Sequence, residues 1–209
     1  MSKHLLPFPD YQRIYQVIYS VLQASEIAVT NRACFLFAVA GSKLLREHYG
    51  LAATISAGGA AFMVDEACSR MVVYGREQDG LFVGDSEAFH AWVQCDGWMI
   101  DFMAPIMDEA LREDGHTWKV PRRMLQKRLD DGKMAVGDVQ HQGEFCLSPT
   151  RELADELVDN ISSGATDLID VCNAWVRRPP KSLRPMQMGD SHGPEKTLTL
   201  RAPAIEGIW

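Results

Sequence analysis

Apolar positions near the start of the chain recur at helical spacing. Tyr11, Ile14, Tyr15, Ile18, Val21 and Leu22 share one stripe, with Asp10 placed to cap it. A second helix is predicted to begin near Thr30-Asn31 and to run through Cys34, Phe35, Leu36, Val39, Leu44 and Leu45 to Gly50. Its first half is apolar on most sides, which predicts a buried helix. Beyond Gly50 the pattern changes to short β-rich runs, Ala52–Ser56, Ala60–Val64 and Arg70–Tyr74, with Gly58-Gly59 as punctuation. Residues 106–146 are mixed, with a short helix expected around Pro121–Leu129 and a turn at Asp131-Gly132. A helix from about Arg151 to Trp175 follows, with a break expected near Gly164.

The sharpest local signal is a hairpin. Phe89-His-Ala-Trp-Val-Gln-Cys95 and Trp98-Met-Ile-Asp-Phe-Met103 flank Asp96-Gly97, a dipeptide suited to a two-residue type I′ turn. That turn sets the register. Opposed residues share a face, as do residues two apart along a strand. His90, Trp92, Gln94, Met99, Asp101 and Met103 are thus predicted on one face, and Phe89, Ala91, Val93, Cys95, Trp98, Ile100 and Phe102 on the other, wholly apolar one. Asp101 then lies diagonally from His90, within side-chain reach, where a carboxylate fixes the imidazole tautomer and stabilises the imidazolium. Trp92 and the two methionines suggest a covered face rather than a solvated one.

Five cysteines are spread through the chain: Cys34, Cys68, Cys95, Cys146 and Cys172. The odd count and the lack of any C-x-x-C argue against a disulfide framework and against a metal site. Free cysteines are usually small buried hydrophobes. Cys34 is placed differently, three or four residues inside the second predicted helix, where backbone N–H groups and the helix dipole favour a thiolate. His90 is a candidate base for it, and the Cys34 backbone N–H a candidate donor to an oxyanion. Asn31 is a further oxyanion candidate, although capping the helix is the plainer role for it.

A cysteine opening a buried helix, a later His-Ala-Trp strand and an aspartate on the next strand resemble the transglutaminase-like branch of the papain cysteine-proteinase superfamily. The matching residues are Cys34 in Asn31-Arg-Ala-Cys-Phe, His90 in Phe89-His-Ala-Trp-Val and Asp101 in Gly97-Trp-Met-Ile-Asp-Phe, so the likeness spans roughly residues 30–105. The resemblance implies an α+β fold with the nucleophile helix packed on an antiparallel sheet. It also implies a Cys34-His90-Asp101 triad passing through a thioester, in a cysteine-dependent hydrolase or acyltransferase acting on an amide or thioester. That superfamily includes peptidases, amidases, transglutaminases and arylamine N-acetyltransferases, so the reaction is left open. Ala33 and Phe35 flank the cysteine where relatives often carry Trp or Gly. A non-catalytic module of the same fold, holding a peptide or small ligand in the cleft, is the alternative. Trp92, Gly58 and Gly59 are candidate substrate contacts, the glycines because a bare backbone allows close approach; a turn or bulge explains them equally well.

Composition narrows the rest. The chain has 209 residues, 46% of them hydrophobic, enough for one cored domain over residues 1–176. Residues 177–209 hold five of the ten prolines and a net charge of +3 against −7 for the whole chain, and read as an extended tail. Net negative charge disfavours nucleic-acid binding. No apolar run is long enough for a membrane span or a secretory leader, so a cytoplasmic protein without membrane partners is expected. The expected partner is a peptide or small acyl substrate; no cofactor or metal is expected. Gly41-Ser42-Lys43 lacks the glycine spacing of a phosphate loop and reads as helix packing. His116, His141 and His192 read as surface residues. Arg177-Arg178 is placed to engage an acidic partner, the protein's own body included.

Overall fold

The computed structural model describes residues 4–25, 28–189 and 195–209. It is an α+β protein whose main sheet is predominantly antiparallel. Helix α1 (Phe8–Ser25) precedes α2 (Cys34–Tyr49). Strands β1 (Thr54–Asp65), β2 (Arg70–Tyr74), β3 (Arg76–Gln78), β4 (Leu81–Val83), β5 (His90–Cys95) and β6 (Trp98–Asp101) follow. Then come α3 (Met107–Glu113), β7 (Arg123–Arg128), β8 (Phe145–Pro149), α4 (Arg151–Asp159), α5 (Ser163–Trp175) and the strands β9 (Met186–Met188), β10 (Lys196–Leu198) and β11 (Gly207–Ile208). The seven-stranded sheet runs β11-β7-β6-β5-β1-β2, with β8 also paired to β1.

The apolar stripe of α1 is buried as its spacing requires, Tyr11, Ile14, Tyr15, Ile18 and Val21 all among the core residues. The helix begins at Phe8, behind Pro7, rather than at a cap on Asp10; Asp10 instead accepts a hydrogen bond from the Tyr49 hydroxyl at 2.8 Å. Helix α2 lies across the sheet at Gly41, where a Cβ would stand 2.4 Å from the Phe102 ring. Only glycine lets the helix come so close, and Lys43 reaches out to Asp170 on α5. Gly50 ends α2 in the left-handed conformation, at φ +66°.

Two sequence-based expectations change here. Gly58-Gly59 does not separate two strands: β1 runs through both glycines, pairing with β5 as far as Gly58, with β2 from Ala60 onward and with β8 across both. Gly58 takes φ +156°, and a Cβ there would lie 2.1 Å from the Ser148 carbonyl oxygen. Gly58→Ala is therefore expected to cost about 1–3 kcal/mol for the backbone alone, with the clash added, read as a lower urea midpoint at unchanged slope. The segment expected to be helical around Pro121–Leu129 is strand β7, paired with β6 from Trp98↔Arg128 to Asp101↔Leu125. Its Met, Leu, Gln, Lys and Arg residues favour helix locally, but an open sheet edge and burial of Met124 and Leu125 override that preference. The long C-terminal helix breaks at residues 160–162, a little before Gly164, and Ser162 caps α5 through the Ala165 N–H.

The C-terminal residues lie along the body. Leu198 and Ile205 are buried in the core shared by α1 and α2, and β11 adds a parallel strand to β7. Arg178 stacks over the Tyr49 ring at 4.4 Å, lies 3.9 Å from Asp10 and donates to the His48 carbonyl. This arginine thus engages an acidic group of its own molecule. Among the described residues no helix is long and apolar enough to cross a membrane. His192 lies outside the described residues.

Candidate active site

Asp96 and Gly97 both have positive φ, +50° and +76°, as a type I′ turn requires. The resulting ladder pairs Val93↔Ile100, Gln94↔Met99 and Cys95↔Trp98. Asp101 and His90 consequently fall on the same face, and His90 Nε2 lies 2.8 Å from Asp101 Oδ2. An ionised carboxylate only accepts, so the proton on this bond belongs to Nε2. In the neutral ring that leaves Nδ1 as the basic nitrogen, and it has no hydrogen-bond partner among the described residues.

Asp101 is held on every side. Its Oδ1 accepts the Met103 and Ala104 N–H groups at 2.8 and 3.2 Å, which turns the chain out of β6 into a short 3₁₀ turn at Ala104–Ile106. For that reason Met103 leaves the strand alternation and packs toward the helices, away from the face the register assigned it. The Asp101 carbonyl accepts the Tyr11 hydroxyl, which in turn accepts the Leu125 N–H. Helix α1, β6 and β7 are tied together at this residue.

His90 is fully buried and Asp101 is 1% exposed. Burial alone would lower the imidazole pKa; the charge and hydrogen bond of Asp101 outweigh it, Cys34 acts in the same sense, and the net shift is upward. The sign for stability follows. A histidine raised by folding contributes fully below its unfolded value of about 6.5 and loses that contribution as pH rises toward the folded value. In Cys34→Ala, where no thiol supplies the proton, unfolding free energy should therefore decline between pH 6 and 9, by more than in the double variant Cys34→Ala, His90→Gln. Parallel denaturation curves at pH 6, 7.5 and 9 measure the difference, and equal declines would contradict the assignment.

Cys34 is the first residue of α2, not its third or fourth, because residues 30–32 form a separate 3₁₀ turn. This places its N–H among the first-turn donors that a helix leaves without internal partners. No side chain caps the helix: the capping position is Ala33. Asn31, expected as a cap, sits within the 3₁₀ turn, 6% exposed, with its Oδ1 lacking a partner among the described residues. Of the five cysteines, Cys34 is the one that lines a cavity with Tyr74, whose ring stacks on His90. Burial raises the pKa of Cys95, Cys146 and Cys172, and Cys68 is exposed.

Cys34 and Asn31 line a cavity of about 620 Å³, together with Tyr74, Phe89, Met103 and Trp118. Tyr74 was not singled out in the sequence. Its ring stacks on His90 at 4.5 Å between centroids and 18° between planes, while Phe62 meets the imidazole edge-on at 5.8 Å. Burial, then the Asp101 and Cys34 charges, push the Tyr74 phenol upward, so it stays neutral beside the pair. Trp92 is 1% exposed and packs with Phe62, Met99 and Leu125 behind this cluster. Gly58 and Gly59 are approached by Ser148, Pro149 and the Phe82 ring of the protein itself, and neither lines the cavity. The described residues contain no cluster of metal-binding groups.

A family model for a protein of unknown function, DUF2026, matches residues 7–209. The chain belongs to that family. A solved crystal structure of a genomics target is similar over 100% of this chain and 99% of its own, at 29% identity and a TM-score of 0.84. No curated protein matches the chain. The family match takes in Cys34, His90 and Asp101, and the solved relative shares the architecture that carries them.

Proposed function

We propose that this protein is a cysteine-dependent acyl-transfer enzyme or hydrolase of the transglutaminase-like, papain-type fold. The observation that carries the reading is the buried His90–Asp101 pair, whose second ring nitrogen has no hydrogen-bond partner among the described residues and whose ring stacks on Tyr74, which lines one cavity with Cys34 at the head of α2.

In this reading His90 Nδ1 takes the thiol proton, and Asp101 holds the imidazolium that results. The Cys34 sulfur attacks a substrate carbonyl carbon, whose π electrons move to oxygen. The Cys34 N–H at the head of α2 donates to that oxyanion, where the helix dipole also favours negative charge. When the carbonyl re-forms, the carbon–nitrogen bond of an amide breaks. The departing amine takes the proton from His90, leaving a Cys34 thioester. Water or an amine then attacks the thioester, His90 removes its proton, and the released sulfur takes that proton back. Tyr74 and Phe62 keep water from the His90–Asp101 bond, which strengthens it.

Alkylation tests the thiol–imidazole couple without a known substrate. At pH 6–7 iodoacetamide should label Cys34 ahead of Cys68, although Cys34 is only 8% exposed, and His90→Ala should slow that labelling at least tenfold. Peptide mapping reads both. Labelling confined to Cys68, or a Cys34 rate indifferent to His90→Ala, would remove the basis of the mechanism.

A further inference from the structure

We infer that the open edge of β2 docks an extended polypeptide segment, which pairs with the backbone of Met71 and Val73 in the cleft that Cys34 also lines. This names the substrate class of the proposed acyl chemistry, and rests on that reading only for what Cys34 then does to the bound chain.

The direction of each backbone group follows from the ladders. β2 and β8 both pair with residues 60–62 of β1, so they lie on opposite edges of it. The Met63 N–H donates to the Glu144 carbonyl, the Met63 carbonyl accepts the Gly143 N–H, and the Ala57 carbonyl accepts the Thr150 N–H. Ala57 and Met63 thus turn their backbone groups toward the β8 side. That direction alternates along a strand, so Ala60 and Phe62 turn theirs toward β2, where their partners are Tyr74 and Val72. Met71 and Val73 consequently point their N–H and C=O groups away from β1. There β2 ends the sheet, and no described residue pairs with them.

Three features make this edge a site. Residues 71–75 line, without a gap, the cavity of about 620 Å³ that Cys34 lines. Side chains alternate between faces, so a consecutive run is what a strand presents edge-on. The run Met71-Val72-Val73-Tyr74 has neither the lysine nor the proline with which proteins blunt open edges, and Val73 is 47% exposed. Trp118, with Arg70 over its ring at 5.6 Å, lines the cavity as well, so the edge borders a cleft. A single extended chain enters such a cleft, whereas a second folded copy would have to bring a whole sheet into it. Free donors and acceptors two residues apart repeat at about 6.7 Å, the repeat of another extended backbone and not of a simple ester or acyl thioester. Main-chain pairing supplies affinity without one required side chain, in keeping with a lining that mixes Val72 and Trp118 with Arg32, Glu87 and Asp114.

The test uses the full chain with Cys34→Ala, in which no acyl transfer can occur, and reads backbone amide hydrogen exchange by NMR. In the free chain the Val72 and Tyr74 amides should be protected, and those of Met71 and Val73 should exchange at least about a hundredfold faster. Acetyl-Thr-Val-Thr-Val-Thr-methylamide should then slow the Met71 and Val73 amides at least about tenfold. The same peptide N-methylated at its three central residues keeps its side chains but loses those N–H groups, and should bind at least about tenfold weaker. Adding Val73→Pro removes one cleft-facing N–H from an edge strand, where proline is tolerated. It should weaken the unmethylated peptide about tenfold, whereas Val73→Ala should not. The methylated peptide decides the question with the protein unchanged. No slowing of Met71 and Val73 at the highest soluble peptide concentration, or equal binding of the methylated peptide, would overturn the proposal. So would Met71 and Val73 amides already protected in the free chain; protection that grows with protein concentration would mean that a second copy fills the edge. The outcome separates from the catalytic reading. Peptide protection in Cys34→Ala, with no acyl-enzyme in the wild type, would retain the docking edge and refute the chemistry. A Cys34 acyl-enzyme formed from small esters, with both amides untouched by peptide, would do the reverse.

Discussion

Asp101→Ala is expected to lower the unfolding free energy by about 3–5 kcal/mol, the range for removing one member of a buried, hydrogen-bonded charge pair. The carboxylate accepts the His90 ring N–H and the Met103 and Ala104 backbone N–H groups, all within a region closed to water. Alanine would leave three donors without a partner, each carrying its own desolvation penalty. The loss should appear as a fall in the urea midpoint and in Tm. A change below about 1 kcal/mol would mean that water replaces the carboxylate, and that the pocket is far more open than its geometry. Asp101→Asn keeps an oxygen for the two backbone donors, so it should fold and allow a kinetic comparison.

That comparison carries the second large effect. With any substrate the wild type turns over, Asp101→Asn should reduce kcat by about four orders of magnitude, since an amide stabilises neither the required tautomer nor the imidazolium. Cys34→Ala should abolish the covalent step altogether. The two variants probe different things. A protein in which Asp101→Asn is silent while Cys34→Ala is dead would have a reactive thiol without an oriented base.

The hairpin could be read from the sequence because its turn is local. Asp96-Gly97 demanded positive φ at two successive residues, which fixed the register and, by alternation alone, the shared face of His90 and Asp101. Strand alternation failed at Met103, where the Asp101 side chain captures the next backbone donors and bends the chain. Cys34 could be placed near a helix start from Thr30-Asn31, yet not to the residue, because a 3₁₀ turn and the α-helix share the same capping signals. Strand β7 was hidden by residues that prefer helix until a neighbouring strand claims them. Gly58-Gly59 looked like punctuation, whereas β1 needs bare backbone there to admit the Ser148 carbonyl and Gly84.

Tyr74 lay beyond sequence reasoning for a related cause. Its ring reaches His90 only because β1 pairs Ala60 with Tyr74 along one edge and Gly58 with His90 along the other. Neither register follows from a local turn. The cavity has the same origin, since Asn31, Trp118 and Tyr74 come from distant segments that meet only in the folded chain.

The most direct measurement is intact-protein mass spectrometry after brief exposure to an activated acyl ester, followed by peptide mapping. The account predicts one acyl group per chain, on Cys34, formed rapidly in the wild type, slowly in His90→Ala and not at all in Cys34→Ala. Acylation spread over Cys68 and surface lysines, or accumulating at the same rate in wild type and His90→Ala, would contradict it.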